Sequence, residues 1–205
     1  TCPSYLPNQG QGSASRSSAD GGSLTVTNTA NCRLSKDYKH NFNFLLGHES
    51  IISKNQAFGA EVDGLTDTRL TLMSAGSTST VPSHSKTEKV FNSYFATASY
   101  NFAEKYFVDA SFRRDGSSLF GENSKWGSFW SRGAMWDIKK ESFLEDVEWL
   151  DRLQIKASYG SVGNSSGLSP YMAYGLIGSG PMYGGASGTA VANPANPDLT
   201  WEIAK

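Results

Sequence analysis

The sequence predicts an all-β protein, an antiparallel transmembrane β-barrel segment, and three observations carry that prediction. Segments of about ten residues alternate apolar and polar side chains with a period of two. The connections between them are short and long in turn. The composition favours strands and turns over helices: 12% of residues are aromatic, 21 are glycine and 18% are charged, against about 25% charged in a typical soluble domain. A mean hydropathy of −0.40 is compatible with this, because a strand that alternates lipid-facing and lumen-facing residues keeps a low average.

Residues 1–22, rich in Ser, Gly, Asn and Pro and without a period, read as loop or tail, and residues 23–205 as a partial barrel domain. From Ser23, "SLTVTNTANCRL" sets Leu24, Val26, Ala30, Cys32 and Leu34 on one face. Thr25, Thr27, Thr29, Asn31 and Arg33 occupy the other, and Asn28 is the one polar residue on the apolar side. After the turn "SKDYK", the segment "HNFNFLLGHE" returns with Phe42, Phe44 and Leu46 opposite Asn41 and Asn43. A long excursion from about 50 to 89 follows, with a short strand expected around "TRLTLM".

Next comes the clearest hairpin. "VFNSYFATASYN" places Tyr94, Ala96, Ala98 and Tyr100 opposite Phe95, Thr97, Ser99 and Asn101. "YFVDASFRR" places Tyr106, Val108, Ala110 and Phe112 opposite Phe107, Asp109, Ser111 and Arg113. Each segment has about the length that crosses a hydrocarbon layer when tilted. Tyr100 and Tyr106 flank the turn, where interfacial aromatics belong.

An excursion at about 115–126, opened by the turn signal Asp115-Gly116, leads into "GSFWSRGAMWDI", with Trp126 and Trp130 as interfacial candidates. There Arg132 shares the more apolar face with Trp130, Ala134, Trp136 and Ile138. At the lipid midplane an arginine costs about 2–4 kcal/mol. A bulge at Gly127 or Gly133 turning it inward, snorkelling, or a different register are the alternatives. "KKESFLEDVEWLDR" has helical spacing in Phe143, Leu144, Val147 and Leu150. "LQIKASYG" alternates Leu153, Ile155, Ala157 and Tyr159 with Gln154, Lys156 and Ser158. A glycine-rich excursion at about 161–197 precedes "DLTWEIAK", the start of another strand. Short links at 35–39, 102–105 and 139–152 thus alternate with long excursions. That is the layout of an outer-membrane barrel with periplasmic turns and extracellular loops, and a soluble sandwich has no reason to sort its loops this way.

Separate sequence blocks then point to a family. They are Arg113-Arg114-Asp115-Gly116-Ser117-Ser118 with Phe120-Gly121, then Trp126-Gly127, Trp149-Leu150 and Leu153. Ala157-Ser158-Tyr159-Gly160, Gly163-Asn164 and Asn196-Pro197-Asp198-Leu199-Thr200-Trp201-Glu202 follow. In this order, over residues 90–205, they resemble the SusC/RagA-type TonB-dependent transporters of the Bacteroidetes outer membrane. The resemblance implies a 22-stranded barrel closed by an N-terminal plug and located in the bacterial outer membrane. It also implies a SusD-like surface lipoprotein as partner, uptake of oligosaccharides or peptides, and energy delivered through TonB. No plug, TonB box or carboxypeptidase-like module is recognised in the chain. Six strands and the start of a seventh fall short of the smallest closed barrel of about eight. The chain is therefore expected to be an arc of the barrel, with transport belonging to a longer parent.

The remaining chemistry is sparse. A net charge of −1, with Arg113-Arg114 as the one paired-arginine cluster, gives no track for nucleic acid. No nucleophile–base pair or carboxylate dyad stands out, so no enzyme is expected, and no cofactor. His40 and His48 lie eight residues apart on one strand, about 26 Å at 3.3 Å per residue. With His84 in a loop, no metal site is expected. The acidic run Glu141, Glu145, Asp146, Glu148 and Asp151 reads as a solvated turn. Cys2 and Cys32 form either one bridge or two free thiols. Tyr171, Tyr174 and Tyr183, in the glycine-rich excursion, are the substrate candidates, each a flat face with a hydroxyl. Their alternative role is to pack the loop. The rival architecture is a soluble secreted β-sandwich that binds carbohydrate. It requires Tyr106, Val108, Leu153 and Ile155 to share a dry interior.

Overall fold

The computed structural model describes residues 12–67, 69–80, 82–145, 147–179, 184 and 188–205. The strands are β1 (Gly12–Lys36), β2 (His40–Leu65), β3 (Thr78–Ser79), β4 (Ser83–Phe102) and β5 (Tyr106–Ser117). They continue with β6 (Trp126–Asp137), β7 (Gln154–Asn164), β8 (Leu176–Ser179), β9 (Thr189–Asn193) and β10 (Glu202–Ala204). Contacts group the chain into two units, Thr1–Ser23 with Ser53–Glu88, and Leu24–Ile52 with Lys89–Lys205.

In the larger unit the strands hydrogen-bond in the order β1-β2-β4-β5-β6-β7-β10. The register is continuous: Ala98 lies opposite Ala110, Ala110 opposite Arg132, and Arg132 opposite Tyr159. Strand side chains alternate between faces, so this register gathers Tyr94, Ala96, Ala98, Tyr100, Val108, Phe112, Trp130, Ala134, Ile155 and Ala157 on one face. Ring contacts extend that face to β2, with Phe42 4.6 Å from Tyr100 and His48 4.9 Å from Tyr94. Its large side chains are open: Leu46 is 61% exposed, Val108 50% and Ile155 58%.

The opposite face satisfies itself with side-chain hydrogen bonds. Asn31 donates to Asn43 at 2.9 Å, Ser35 to Asn41 at 2.8 Å and Thr27 to Glu49 at 3.2 Å. Ser111 and Ser131 share a 2.7 Å bond. One apolar face with no protein cover and one hydrogen-bonded polar face is the two-sided pattern of barrel strands between lipid and lumen. The sandwich alternative fails here, because Tyr106, Val108, Leu153 and Ile155 are all exposed.

Two short turns close the hairpins on one side. Asp37 and Tyr38 (φ 53° and 54°), and Ala103 and Glu104 (φ 51° and 56°), occupy the left-handed region. Lys39 N donates to Lys36 O at 3.3 Å, and Lys105 N to Phe102 O at 2.9 Å. Such primed turns match the right-handed twist of the strands. Ala103 has no side-chain compensation for its left-handed backbone, whereas Glu104 N donates to the Asn101 side chain at 2.8 Å.

Two expectations for this unit are corrected, and one of the alternatives left open for Arg132 is excluded. The described residues of 139–152 form no α-helix. A 3-10 turn at Ile138–Lys140 is followed by successive turns, with Leu144 N bonded to Glu141 O at 3.0 Å and Val147 N to Leu144 O at 3.2 Å. Of the apolar residues at helical spacing Phe143 is exposed and Leu144, Val147 and Leu150 are only half-buried, and a helix this short needs fuller packing than that. Asp115 and Gly116 are not the turn but part of β5, opposite Ser93 and Asn92, and the connection lies at 118–125. Gly116 is needed there because a Cβ would come within 2.9 Å of the Trp126 ring. Finally, pairing from Gly116–Trp126 to Tyr106–Trp136 is unbroken. No bulge therefore rotates Arg132, which stays on the apolar face.

The smaller unit holds residues 12–23, 53–65 and 83–88 of β1, β2 and β4, with β3 paired to β2 at Val62–Ser79 and Asp63–Thr78. Ser23 bonds Ser53 at 3.0 Å, Gln56 bonds His84 at 2.9 Å, and Lys54 pairs with Glu88 at 3.4 Å. Residues 12–22 are thus strand rather than loop or tail. Much of the 50–89 excursion is strand as well, while "TRLTLM" leads into a 3-10 turn at Met73–Ala75. These strands are held by backbone pairing and by polar contacts. Apart from Val62 and Leu65, buried at the end of β2, they have no continuous apolar face, so they leave no period of two in the sequence.

Candidate functional site

The polar face is built around Arg113. Its Nε donates to Asp115 at 2.7 Å, its terminal nitrogen reaches Ser93 Oγ at 2.9 Å and Glu49 at 3.6 Å, and its Cζ lies 5.5 Å from the Phe95 ring centre. The register explains the gathering, since Arg113 is opposite both Phe95 and Phe129, and Asp115 is opposite Ser93 and Gly127. Gly47 lets the Phe95 ring lie flat on β2, where any Cβ would collide with it. Further along this face a concavity of about 510 Å³ is lined by Arg33, Asn41, Asn43, Ser99, Asn101 and Asp109 among others. Leu34, Phe42, Tyr100, Phe107 and Val108 line it as well, so that most of its surface is apolar and its amides, hydroxyls and one charge of each sign are set among rings and aliphatic side chains.

At the long-loop end the family-like blocks pack onto one another. Phe120 is fully buried, and its ring centre lies 4.3 Å from Trp201, which in turn meets Phe129 edge-on at 5.4 Å. Trp201 Nε1 donates to Lys125 O at 3.3 Å, Gly121 N to Leu199 O at 2.9 Å, and Asn123 Nδ2 to Asp198 at 2.9 Å. A Cβ at Gly121 would strike the Pro197 carbonyl, and one at Gly127 or Gly163 would strike the Phe129 ring. Asn164 Nδ2 donates to Glu202 at 3.0 Å, and Asn196 N to Ala173 O at 2.9 Å. The glycines, Asn196, Pro197, Asp198, Trp201 and Glu202 therefore make a structural clasp between the 118–125 connection and the entry to β10.

Of the substrate candidates, Tyr183 lies outside the described residues. Tyr171, at φ 66°, and Tyr174 have ring centres 6.4 Å apart. Asn193 Nδ2 fixes their segment by donating to Met172 O at 2.8 Å and Tyr174 O at 3.0 Å. Tyr174 also borders a cavity of about 170 Å³ beside Trp126 and Ser118.

Arg114 has no acidic partner among the described residues. It lies over Trp126, with Cζ 5.5 Å from the ring centre, as Arg132 lies over Trp130 at 5.7 Å. Contacts of this kind stabilise by about 0.5–2 kcal/mol, which offsets only part of the cost of an arginine facing lipid at mid-strand.

Sequence reasoning missed Glu141. It belongs to the acidic run read as solvated, yet it accepts hydrogen bonds from Tyr106 Oη at 2.6 Å, Lys105 Nζ at 3.1 Å and Trp136 Nε1 at 3.2 Å. The tyrosine hydroxyl first, then the lysine and the indole, hold its carboxyl below the usual carboxylate range. The sequence signal was weak, since two of the three donors lie 35 and 36 residues away. Asp146 of the same run, and Cys2, lie outside the described residues, while Cys32 is an exposed thiol. Among the described residues no group of three His, Cys, Asp or Glu could hold a metal. His40 instead bonds Tyr100 Oη at 2.9 Å.

Comparison with known proteins agrees with this geometry. The family model for the TonB dependent receptor-like beta-barrel matches residues 3–205. TonB-dependent receptor P39 of Formosa agariphila is 35% identical over 116 residues, covering 57% of this chain and 11% of the relative. TonB-dependent receptor SusC of Bacteroides thetaiotaomicron is 35% identical over 80 residues, covering 39% of this chain and 8% of SusC. A solved structure of the RagAB peptide transporter superposes with a TM-score of 0.86 at 33% identity, covering 92% of this chain and 21% of that one. The chain thus spans about a tenth of these curated relatives and about a fifth of the solved transporter. It belongs to the TonB dependent receptor-like beta-barrel family.

Proposed function

We propose that this chain is part of the barrel wall of an outer-membrane importer that takes up oligosaccharides or peptides. The importer draws energy from TonB, contacted through a part of the protein outside this chain, and works with a SusD-like surface lipoprotein. The observation that carries this reading is the two-faced sheet of the larger unit. Its apolar face has no protein cover and suits lipid, while its hydrogen-bonded face with the Arg113 network suits a water-filled interior. The resemblance to SusC and to the RagAB peptide transporter supports the substrate class and the lipoprotein partner. The loop tyrosines Tyr171 and Tyr174 meet the substrate from the long-loop side, and the wall carries no catalytic group.

The test uses the full-length protein that contains this chain. It should fractionate with detergent-extracted outer membrane, and recovery in the soluble periplasm would overturn the reading. Uptake of labelled oligosaccharide or peptide should fall when Tyr171 and Tyr174 are both replaced by Ala. Unchanged uptake returns them to packing the loop.

A further inference from the structure

The cavity between Tyr174 and Trp126 has a definite place on the wall. It measures about 170 Å³, and Asn92, Gly116, Ser118 and Lys125 line it together with the two rings, among others. Asn92 lies opposite Gly116, and Gly116 opposite Trp126. These positions are two residues on from Tyr94 and Arg114, and so share the face of Tyr94 and Phe112. The cavity therefore sits at the long-loop rim of the open apolar face, on the opposite side of the sheet from the Arg113 network.

Its aromatic walls are held by the protein. Trp126 lies flat on β5, since a Cβ at Gly116 would come within 2.9 Å of three atoms of its ring, and Tyr94 stacks beside it with centres 6.1 Å apart. Tyr174 is fixed through its backbone: its N donates to Tyr171 O at 2.9 Å, and its carbonyl accepts from Asn193 Nδ2 at 3.0 Å. Both residues still have 46% of their surface exposed. Polar groups with capacity to spare border them. Ser118 Oγ accepts from Val90 N at 3.0 Å and keeps its own proton to donate. The Asn92 amide, the Lys125 ammonium and the Tyr174 hydroxyl have no hydrogen-bond partner among the described residues.

We propose that this cavity binds one sugar ring of a saccharide. The proposal rests on the barrel reading above and adds a ligand site to the outside of the wall. Size sets the unit: the volume is below the about 300–1,000 Å³ of a pocket that encloses a whole drug-sized ligand, so it takes one ring of a longer molecule. Chemistry sets the class. A pyranose has C–H groups on its faces, which pack on the indole and the phenol, and hydroxyls around its edge, which meet Asn92, Ser118, Lys125 and the Tyr174 hydroxyl. An acyl chain in the same space would leave those polar groups without partners. A peptide backbone would find the adjacent main chain already paired, Ser117 N with Lys125 O at 3.0 Å and Ser118 N with Val90 O at 3.0 Å. The place at the rim of the open face favours the headgroup of a membrane glycolipid over a free oligosaccharide as the source.

The experiment is a binding titration of the full-length protein in a sugar-free detergent with three probes. These are rough lipopolysaccharide, the oligosaccharide released from it by mild acid, and phosphatidylglycerol, which carries negative charge without a sugar ring. At least one sugar-bearing probe should bind more tightly than phosphatidylglycerol. Tyr174→Ala should weaken that binding about tenfold, the scale of one aromatic contact, and Asn92→Ala about fivefold, the scale of one hydrogen bond. Phosphatidylglycerol binding should be unchanged in both, and heat-modifiable migration in gels checks that each variant folds. Binding of the lipopolysaccharide alone assigns the ring to a membrane glycolipid, and equal binding of the released oligosaccharide assigns it to a free sugar; either result supports the site. No preference for sugar over phosphatidylglycerol overturns the proposal, as does a preference undiminished in the folded double variant. The barrel reading fails by a different result, recovery of the protein in the soluble periplasm.

Discussion

The clasp at the long-loop end and the open face of β4–β7 both consist of large apolar side chains, but they are covered in opposite ways. Phe120 is enclosed by protein on every side, with Trp201 and Phe129 against it and the Pro197 backbone over Gly121. Ile155 and Val108, on the open face, have more than half and half of their surface free. The first region is a small core of the kind any water-soluble protein has. The second is stable only where something other than this chain removes it from water, and in a barrel that is the hydrocarbon of the bilayer. The same burial free energy, about 25 cal/mol per Å² of apolar surface, is thus supplied by tertiary packing in one region and by the membrane in the other.

The largest expected effect comes from breaking the clasp. Phe120→Ala should cost about 3–5 kcal/mol, because protein packed around a deleted ring cannot collapse fully and a cavity remains. Ile155→Ala should cost far less, since fluid acyl chains fill the space. Unfolding midpoints of the two full-length variants in detergent or liposomes measure the difference. Equal losses would show that the open face is covered by protein and would erase the distinction between the regions.

A charge sharpens the contrast between the two faces of the sheet. Ala110 and Ser111 are neighbours in β5, and both are paired in the same hairpins. Ala110→Lys should cost about 2–4 kcal/mol near the midplane, and the amount of assembled, heat-modifiable barrel should fall with it. Ser111→Lys faces the polar side, beside Ser131, and should assemble nearly as well as the wild type. If the two variants assemble equally poorly, the assignment of faces is wrong.

Legibility in the sequence follows the same division. Where lipid covers one face and water the other, as at Tyr94–Tyr100 or Tyr106–Phe112, alternation in the sequence marks the strands directly. In residues 12–22 and 53–61 the strands are held by backbone pairing and polar contacts such as Ser23–Ser53, and polar residues pair as well as they solvate, so no period was there to read. The helical spacing of Phe143, Leu144, Val147 and Leu150 misled for the converse reason. Its pattern was real, but it falls on a run of turns in which Leu144, Val147 and Leu150 are only half-buried and Phe143 is exposed. Asp115-Gly116 carries a turn signature, yet Trp126 needs the space of a glycine within the strand. In the clasp, the blocks around Arg113, Trp126 and Trp201 were recognisable as sequence. Their contacts could not be read in advance, because Trp201 reaches the Lys125 carbonyl across 76 residues. Glu141 was hidden similarly, its role depending on the hairpin that brings Tyr106 and Lys105 alongside.

Glu141 gives the smallest and most pH-specific test, at the short-turn end where Tyr106 and Trp136 stack at 6.2 Å. Its carboxyl is held below the ordinary range chiefly by the Tyr106 hydroxyl, with Lys105 and Trp136 adding to it. A depressed carboxylate pKa stabilises the folded state at pH values above the unfolded-state pKa, and that stabilisation is lost as pH falls through the folded value. The thermal midpoint of the full-length protein should therefore fall between neutral pH and pH values below the carboxylate range. Glu141→Gln should lower the midpoint at neutral pH and flatten its acid dependence, because the amide oxygen still accepts from the hydroxyl and the indole but carries no charge for Lys105. Phe120 and the two rings packed on it, Phe129 and Trp201, carry no titrating group, so Phe120→Ala should shift the whole profile down without changing its slope. An unchanged acid slope in Glu141→Gln would mean that the aromatic pair at this end is held by lipid alone, making the short-turn end an extension of the open face rather than a second anchored region.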